Sequence, residues 1–448
     1  MNHKKIVAAL LTGAMVLGMT ACNKQETAPA SGKTDAKAAE KSESKAAEIT
    51  LWTYPIGEWK DAKTVDAFIA EFNKKEPNIK VKVEYLDYKS GDDKVTAALE
   101  AKTAPDIILE GPERLVANWG AKGKMVDISD LWTDEVKKDI VATSQAIVDA
   151  CHTKDGKFYE YPLCMTTHCM AINYDVFEKA NALQYLDQKT RTWTTENFRK
   201  AMKAVAESKQ TKSSGIVYCG GQGGDQGTRA LVTNLYGAEF TDKDHTKYTI
   251  DGEKGVKGLQ LIADMVKEGS LSYDAGIAAA EELQKFANGT TAVSFCWNAS
   301  NAAQYAKQVK FKPFAMAFPT SMDKPQLAGG IWGFGIFNNG DEAKIAAAKK
   351  FIKFVCDDKD QAKKSVYATG FFPARASLGD IYTGTEKEKN AEFSVMMPYL
   401  GDYYNVTAGW AEQRTAWWNM LQQIFGGTDV KTAVDTYSKT ANRAAATK

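Results

Sequence analysis

The feature that most limits what this chain can become is the alternation of two hydrophobic periods from about residue 48 onward. Residues 48–53 place Ile49 and Leu51 on one face and read as a strand. From Asp61 the apolar residues Val65, Phe68, Ile69 and Phe72 fall at i, i+3, i+4 and i+7, the spacing of an amphipathic helix. Residues 79–85 alternate strictly, which predicts a half-exposed strand. A second helical stretch then leads to Ile107, Ile108 and Leu109, a continuous apolar run of the kind buried on both faces. The order returns further on. Phe198, Met202 and Val205 mark a helix and residues 216–219 a strand. Val256, Leu259, Ala263 and Val266 mark a helix stopped by Gly269; residues 292–297 and 331–337 are strands, and 345–355 is helical. Strands alternating with helices predict an α/β chain whose central sheets are parallel or mixed and covered on both sides.

The 448 residues suffice for two or three domains or one large bilobed body. With 57 basic side chains against 56 acidic ones and no local basic patch, no nucleic-acid partner is expected. At the start, Lys4 and Lys5 precede an apolar run over residues 6–19. It is too short to span a bilayer as a mature helix and reads as a secretory leader. The run closes on Met19-Thr20-Ala21-Cys22. Small residues before a cysteine resemble the lipobox of bacterial lipoproteins, with Met19 where Leu is commoner. That resemblance implies removal of residues 1–21, lipidation of Cys22, and an extracytoplasmic protein anchored by lipid to the cell membrane. Residues 22–47 carry almost no large apolar side chain and are expected to be a disordered tether. Six further cysteines allow fifteen pairings. Cys151 and Cys164 flank the Asp155-Gly156 turn and are the first pair to test, while most of the others sit in apolar runs that suit a buried thiol.

Several segments, in this order, resemble the family 1 extracellular solute-binding proteins, the sugar-binding group that includes maltose-binding proteins. They are Ile49-Thr50-Leu51-Trp52, the 104–108 block, Gly156-Lys157-Phe158-Tyr159-Glu160-Tyr161-Pro162, Asn173-Tyr174-Asp175 and Thr192-Trp193-Thr194. They continue through residues 288–293, Gly329-Gly330-Ile331-Trp332-Gly333 and residues 370–375. The resemblance covers essentially the whole mature chain. It implies a type II periplasmic-binding-protein fold of two α/β lobes joined by a hinge, with the ligand in the cleft between them. One lobe would hold residues 48–165 and 334–378, the other 166–333 and 379–448. The implied partners are a carbohydrate and the permease of an ABC importer, with the protein expected as a monomer.

A sugar offers hydroxyls around its edge and apolar patches on its faces, so its site needs planar hydrogen-bonding groups beside aromatic rings. Glu110, Glu113 and Arg114 follow the 107–109 strand, where open α/β sheets bind ligands. By the resemblance Glu113 and Arg114 match an acidic-basic pair that grips sugar hydroxyls, while Glu110 replaces an aromatic. Tyr54 and Trp59 lie on the loop after the first strand, where a large aromatic is costly to expose without a use. Trp297 with Asn298, Trp332 with Gly330, and Trp410 stand where the family places aromatic platforms and their neighbours. Thr166, at a position occupied by an acidic sugar ligand in the family, and His168 lie where the chain should first cross between lobes. The glycine-rich loop 220–227 offers Gln222, Asp225 and Gln226.

No cofactor and no metal are expected: His168 lies near Cys164, Cys169 and His152 without a standard ligand spacing. Two alternatives remain at this point. One is a binding protein for a non-sugar solute. The other is a secreted glycoside-acting enzyme, for which Glu110 and Glu113 would supply the two carboxyl groups. Hydrolytic and phosphoryl motifs such as GxSxG, HExxH and the P-loop are absent from the sequence.

Overall fold

The computed structural model describes residues 46–87, 90–221 and 225–446. The leader, Cys22, all but the last two residues of the expected tether, and Gln222 lie outside the described residues. The strands are β1 (Ala47–Thr53), β2 (Ile79–Tyr85), β3 (Ile107–Glu110), β4 (Tyr161–Thr167), β5 (Cys169–Asn173), β6 (Ile216–Tyr218), β7 (Ser272–Asp274), β8 (Val293–Trp297), β9 (Pro313–Met316), β10 (Gly329–Ile336) and β11 (Phe372–Pro373).

Six strands form the first sheet in the order β11-β4-β10-β3-β1-β2. β1 runs parallel to both neighbours, with Leu51 opposite Val83 on one side and Ile107 on the other. The edge strand β2 keeps one wet face and hence its alternation, whereas β3 is buried on both faces and reads as continuous Ile-Ile-Leu. β10 is antiparallel to β3 and β4, so the sheet is mixed. Helices Ala62–Lys75 and Glu342–Asp357 cover one face through an aromatic core in which Trp59 meets Phe68 at 5.3 Å and Phe72 meets Phe351 at 5.2 Å.

The second sheet, β8-β5-β9, is antiparallel throughout. The parallel pair β6-β7 adjoins it through a bridge between Ser213 and Thr291. β4 and β5 show no periodicity in the sequence. All of β4 is buried, which erases a period of two, and Pro162 argues against a central strand except at a bulge. The register does shift there, between Trp332 and Gly333, and Pro162 sits opposite Gly333.

Three segments carry the chain between the sheets, and they lie side by side. The His168 N–H donates to Ala328 O (2.8 Å), Leu327 N–H to Tyr399 O (2.7 Å) and Gly401 N–H to Leu327 O (3.0 Å). This close packing demands glycine: a Cβ on Gly329 would lie 2.4 Å from Thr166 O. β4 stays in the first sheet as far as Thr167, and β10 joins it from Gly329. The six described cysteines are all buried and free, so the expected Cys151–Cys164 bond is not formed. Cys164 lies in the interior of the first sheet, inside β4, while Cys151 ends helix Gln145–Ala150.

Candidate functional site

β3 ends at Glu110 and passes through Gly111 into a short helical turn, Pro112–Arg114, at the carboxyl end of the parallel strands. Arg114 is the hub of the first cluster. Its Nε and Nη2 bind both oxygens of Asp92 at 2.7 and 2.9 Å, a two-pronged pair, and its Nη1 donates to Glu110 Oε1 at 2.9 Å. Its guanidinium lies 5.4 Å from the centre of the Tyr54 ring, whose hydroxyl also donates to Asp92. Burial works against an ionised Asp92, but the hydrogen bonds from Arg114 and Tyr54 prevail and hold its carboxyl below the usual range. Glu110 goes the other way: burial, then the Glu113 charge, push it up to about 8.

The second cluster sits where helices Gln226–Tyr236, Ala299–Tyr305 and Trp410–Phe425 begin. Asp225, 2% exposed, binds Arg229 with one oxygen and receives Arg414 Nε and Nη2 at 3.0 and 2.8 Å on the other. The buried Arg229 guanidinium lies 4.7 Å from the centre of the Trp410 ring, a cation–π contact that fixes the indole from behind. His168 stands 3.3 Å from Gln226 Nε2 and 3.3 Å from Asn298 Nδ2. Burial and the Arg229 charge lower its value to about 4, so the imidazole is neutral at physiological pH. Asn298 also caps its helix, accepting from Asn301 N–H at 2.8 Å.

The segment beyond the third crossing touches both clusters: the Tyr403 hydroxyl donates to Glu113 Oε2 at 3.1 Å, and the neighbouring Tyr404 ring lies 6.0 Å from Trp410. Trp332 stacks on Phe371 at 4.6 Å with planes 8° apart, and both rings remain half-exposed. Gly330 permits this, since a Cβ there would lie 2.1 Å from the folded-back indole. A cavity of about 910 Å³ opens beside helix Ala299–Tyr305, between loop 57–61 and segment 385–392, with Trp297 and Phe311 in its wall. Its volume falls within the range of small-molecule sites.

Several of the expected contact residues are buried or engaged elsewhere. Trp59 is 0% exposed and donates its indole N–H to Ser365 O, because Gly57 at φ +56° folds the loop inward against helix Lys359–Thr369; it is a core residue. Tyr54 is buried as well, behind Arg114. Trp297 is 1% exposed and meets Phe286 edge-on at 5.3 Å, so most of its ring is packed into the core. Asp225 has both oxygens committed to guanidinium groups, and Thr166 is buried in β4 opposite Gly330. Glu113 and Arg114 lie on the turn after β3, His168 beside Asn298 at the first crossing, Trp332 on β10, and Trp410 at the start of its helix. Sequence reasoning missed Asp92, Glu160, Phe371, Tyr403, Arg229 and Arg414. Of these, Arg229, one helical turn after Asp225, and Arg414, one helical turn after Trp410, carried a local signal.

Two α/β sheets joined by three adjacent crossings, with polar and aromatic groups gathered at strand ends and helix starts between them, define a periplasmic-binding-protein fold. This chain belongs to the bacterial extracellular solute-binding protein family, whose family model matches residues 67–394. No curated protein matches it by sequence. Among solved structures it is similar to the cyclic alpha-maltosyl-1,6-maltose binding protein of Arthrobacter globiformis, at 18% identity and a TM-score of 0.71, covering 89% of this chain and 98% of that one. An ABC substrate-binding protein of Listeria monocytogenes in complex with cycloalternan shares 19% identity at a TM-score of 0.64, with the same coverage. A solute-binding protein of Agrobacterium vitis with bound D-mannitol shares 22% identity at 0.59, again covering 89% and 98%. No helix among the described residues is long and apolar enough to cross a membrane. Those residues also contain no group of three His, Cys, Asp or Glu placed to hold a metal ion.

Proposed function

We propose that this chain captures a carbohydrate, an oligosaccharide rather than a monosaccharide, between its two sheets and delivers it chemically unaltered to the permease of an ABC importer. The observation that supports the reading is the Tyr403–Glu113 hydrogen bond, which ties the segment beyond the third crossing to the turn after β3. Glu113 and Arg114 come from the first sheet, His168 and Asn298 from the second, and half-exposed Trp332 and Trp410 stand near the crossings, with Arg414 beside Asp225. Such a mixture of planar hydrogen-bonding groups and indole faces suits a polyhydroxylated ring, and separated indoles suit more than one ring. Similar solved structures include a cyclic alpha-maltosyl-1,6-maltose binding protein, a protein in complex with cycloalternan and one with bound D-mannitol, which supports a carbohydrate-like ligand.

In this reading residues 48–165 with 334–378 and residues 166–333 with 379–448 act as two lobes, the adjacent crossings act as the hinge, and closure over the sugar creates the shape the permease recognises. The chain acts as a monomer tethered through a lipid on Cys22. Replacing Cys22 with serine should move it from the membrane fraction to the soluble one, and retention at the membrane would refute the anchor.

A thermal-shift screen over mono- and oligosaccharides tests the ligand class, because a solute bound only by the native state raises the melting temperature by mass action. A concentration-dependent rise with an oligosaccharide and release of no reducing sugar is expected. A rise with amino acids or polyamines alone, or catalytic turnover of a glycoside, would replace the proposal.

A further inference from the structure

Glu160 stands just before β4 with 0% of its surface exposed, and neither carboxyl oxygen has a hydrogen-bond partner. Buried polar atoms are rarely left so, and an ionised carboxylate there would be stranded in a low dielectric. Glu110 is in a similar position: Oε1 takes Arg114, but Oε2 lacks a partner. The sheet places the two together. Gly333 of β10 lies opposite Glu110 on one side and Pro162 on the other, and the Glu160 carboxyl fills the space a side chain at Gly333 would occupy, 2.8 Å from an ideal Cβ.

The surroundings supply too little positive charge for both to ionise. Arg114 is already shared among Asp92, Glu110 and, at 3.8 Å, Glu113. Tyr54 and Asp92 lie on the far side of that guanidinium. Arg375, after β11, donates to Pro162 O at 3.2 Å, but its charge is matched by Asp357 at 2.6 Å; the other facing groups are the thiols Cys151, Cys164 and Cys356, which burial keeps neutral. From the far side of the crossings comes Tyr403, whose hydroxyl binds Glu113.

We propose that Glu110 and Glu160 retain protons at neutral pH, acting as one coupled pair, and that this neutrality holds closed the Tyr403–Glu113 contact between the two halves. Burial first, and then the Glu113 charge, raise both carboxyls above the ordinary value, and on deprotonation their protons go to solvent base. Once ionised, the pair repels Glu113, and the turn that carries Glu113 has reason to pull away from Tyr403. The inference does not require any particular ligand.

The test uses ligand-free full-length protein. Infrared spectroscopy should show protonated-carboxyl absorption at pH 7 that fades toward pH 10, reduced in both Glu110→Gln and Glu160→Gln. Glu282, a buried carboxyl against β8 whose value is also raised to about 8, supplies a band that neither substitution removes. Small-angle scattering should show the wild-type radius of gyration rising over the same range, with Tyr403→Phe already expanded at pH 7 while keeping the carboxyl band. Absence of protonated carboxyls in the wild type at pH 7 overturns the proposal, as does an unchanged band in the variants, or a radius indifferent to both pH and Tyr403→Phe. If Glu160→Gln fails to fold, Glu110→Gln and the wild-type series still decide it.

Discussion

The two ends of the site use the same chemistry with opposite charge balance. Beside the first sheet, Asp92, Glu110 and Glu113 gather around one guanidinium, Arg114, and the buried Glu160 adds a fourth acid without reaching it. Beside the second, one carboxylate, Asp225, holds two guanidinium groups, Arg229 and Arg414. Where both oxygens of a single acid are engaged, the network is a scaffold: it fixes Trp410 from behind and aims Arg414. Where acids outnumber bases, acceptors are left over, free to hold a proton or to meet a sugar hydroxyl. The difference assigns stability to one end and adaptability to the other.

The sharpest way to break this contrast is Asp225→Ala, which strands a buried guanidinium and should cost about 3–5 kcal/mol of folding stability in denaturant titration. A loss below about 1 kcal/mol would show that the second cluster is not a scaffold. Trp297→Ala should cost a comparable ~3–5 kcal/mol of stability, as for a large aromatic removed from a core. Weaker saccharide binding with stability intact would return Trp297 to the ligand. Trp332→Ala, by contrast, should leave the melting temperature nearly unchanged and weaken oligosaccharide binding by about 1–3 kcal/mol in calorimetry.

The smallest effect concerns protons. Glu282 rises from 4.5 to about 8 through burial, so the native state keeps a proton that the unfolded chain has already lost. Its contribution to stability is therefore complete below about pH 4.5 and is lost as pH rises through about 8. Glu282→Gln should flatten that slope and be the more stable protein at pH 9, by on the order of 1 kcal/mol. A wild type whose stability is flat from pH 5 to 9 would contradict the assignment.

Much of the architecture was legible wherever a segment has one wet face or an unbroken apolar run. β1, helix Ala62–Lys75, β2 and β3 all fall where periodicity puts them. β4 was not, because burial on every side removes the alternation that announces a strand. Of the proposed site, the sequence marks what position alone marks: Glu113 and Arg114 follow a central strand, and Trp410 starts a helix. The rest was illegible where partnership decides. Asp92 is 22 residues from Arg114, Tyr403 is 290 from Glu113, and nothing local marks either pair. Trp59 misleads for a related reason: an aromatic on a loop has a use if exposed, but a glycine at positive φ can turn that loop into the core.

The central claim, that groups from both halves close around one polyhydroxylated guest, is tested most directly by a crystal structure of the protein grown with an oligosaccharide that stabilises it. The account predicts sugar density between the two sheets, with a ring against Trp332 or Trp410 and hydroxyls on Arg114, Glu113 or Arg414. Saccharide bound elsewhere on the surface, with the space between the sheets vacant and these side chains as far from it as Trp59, would contradict it.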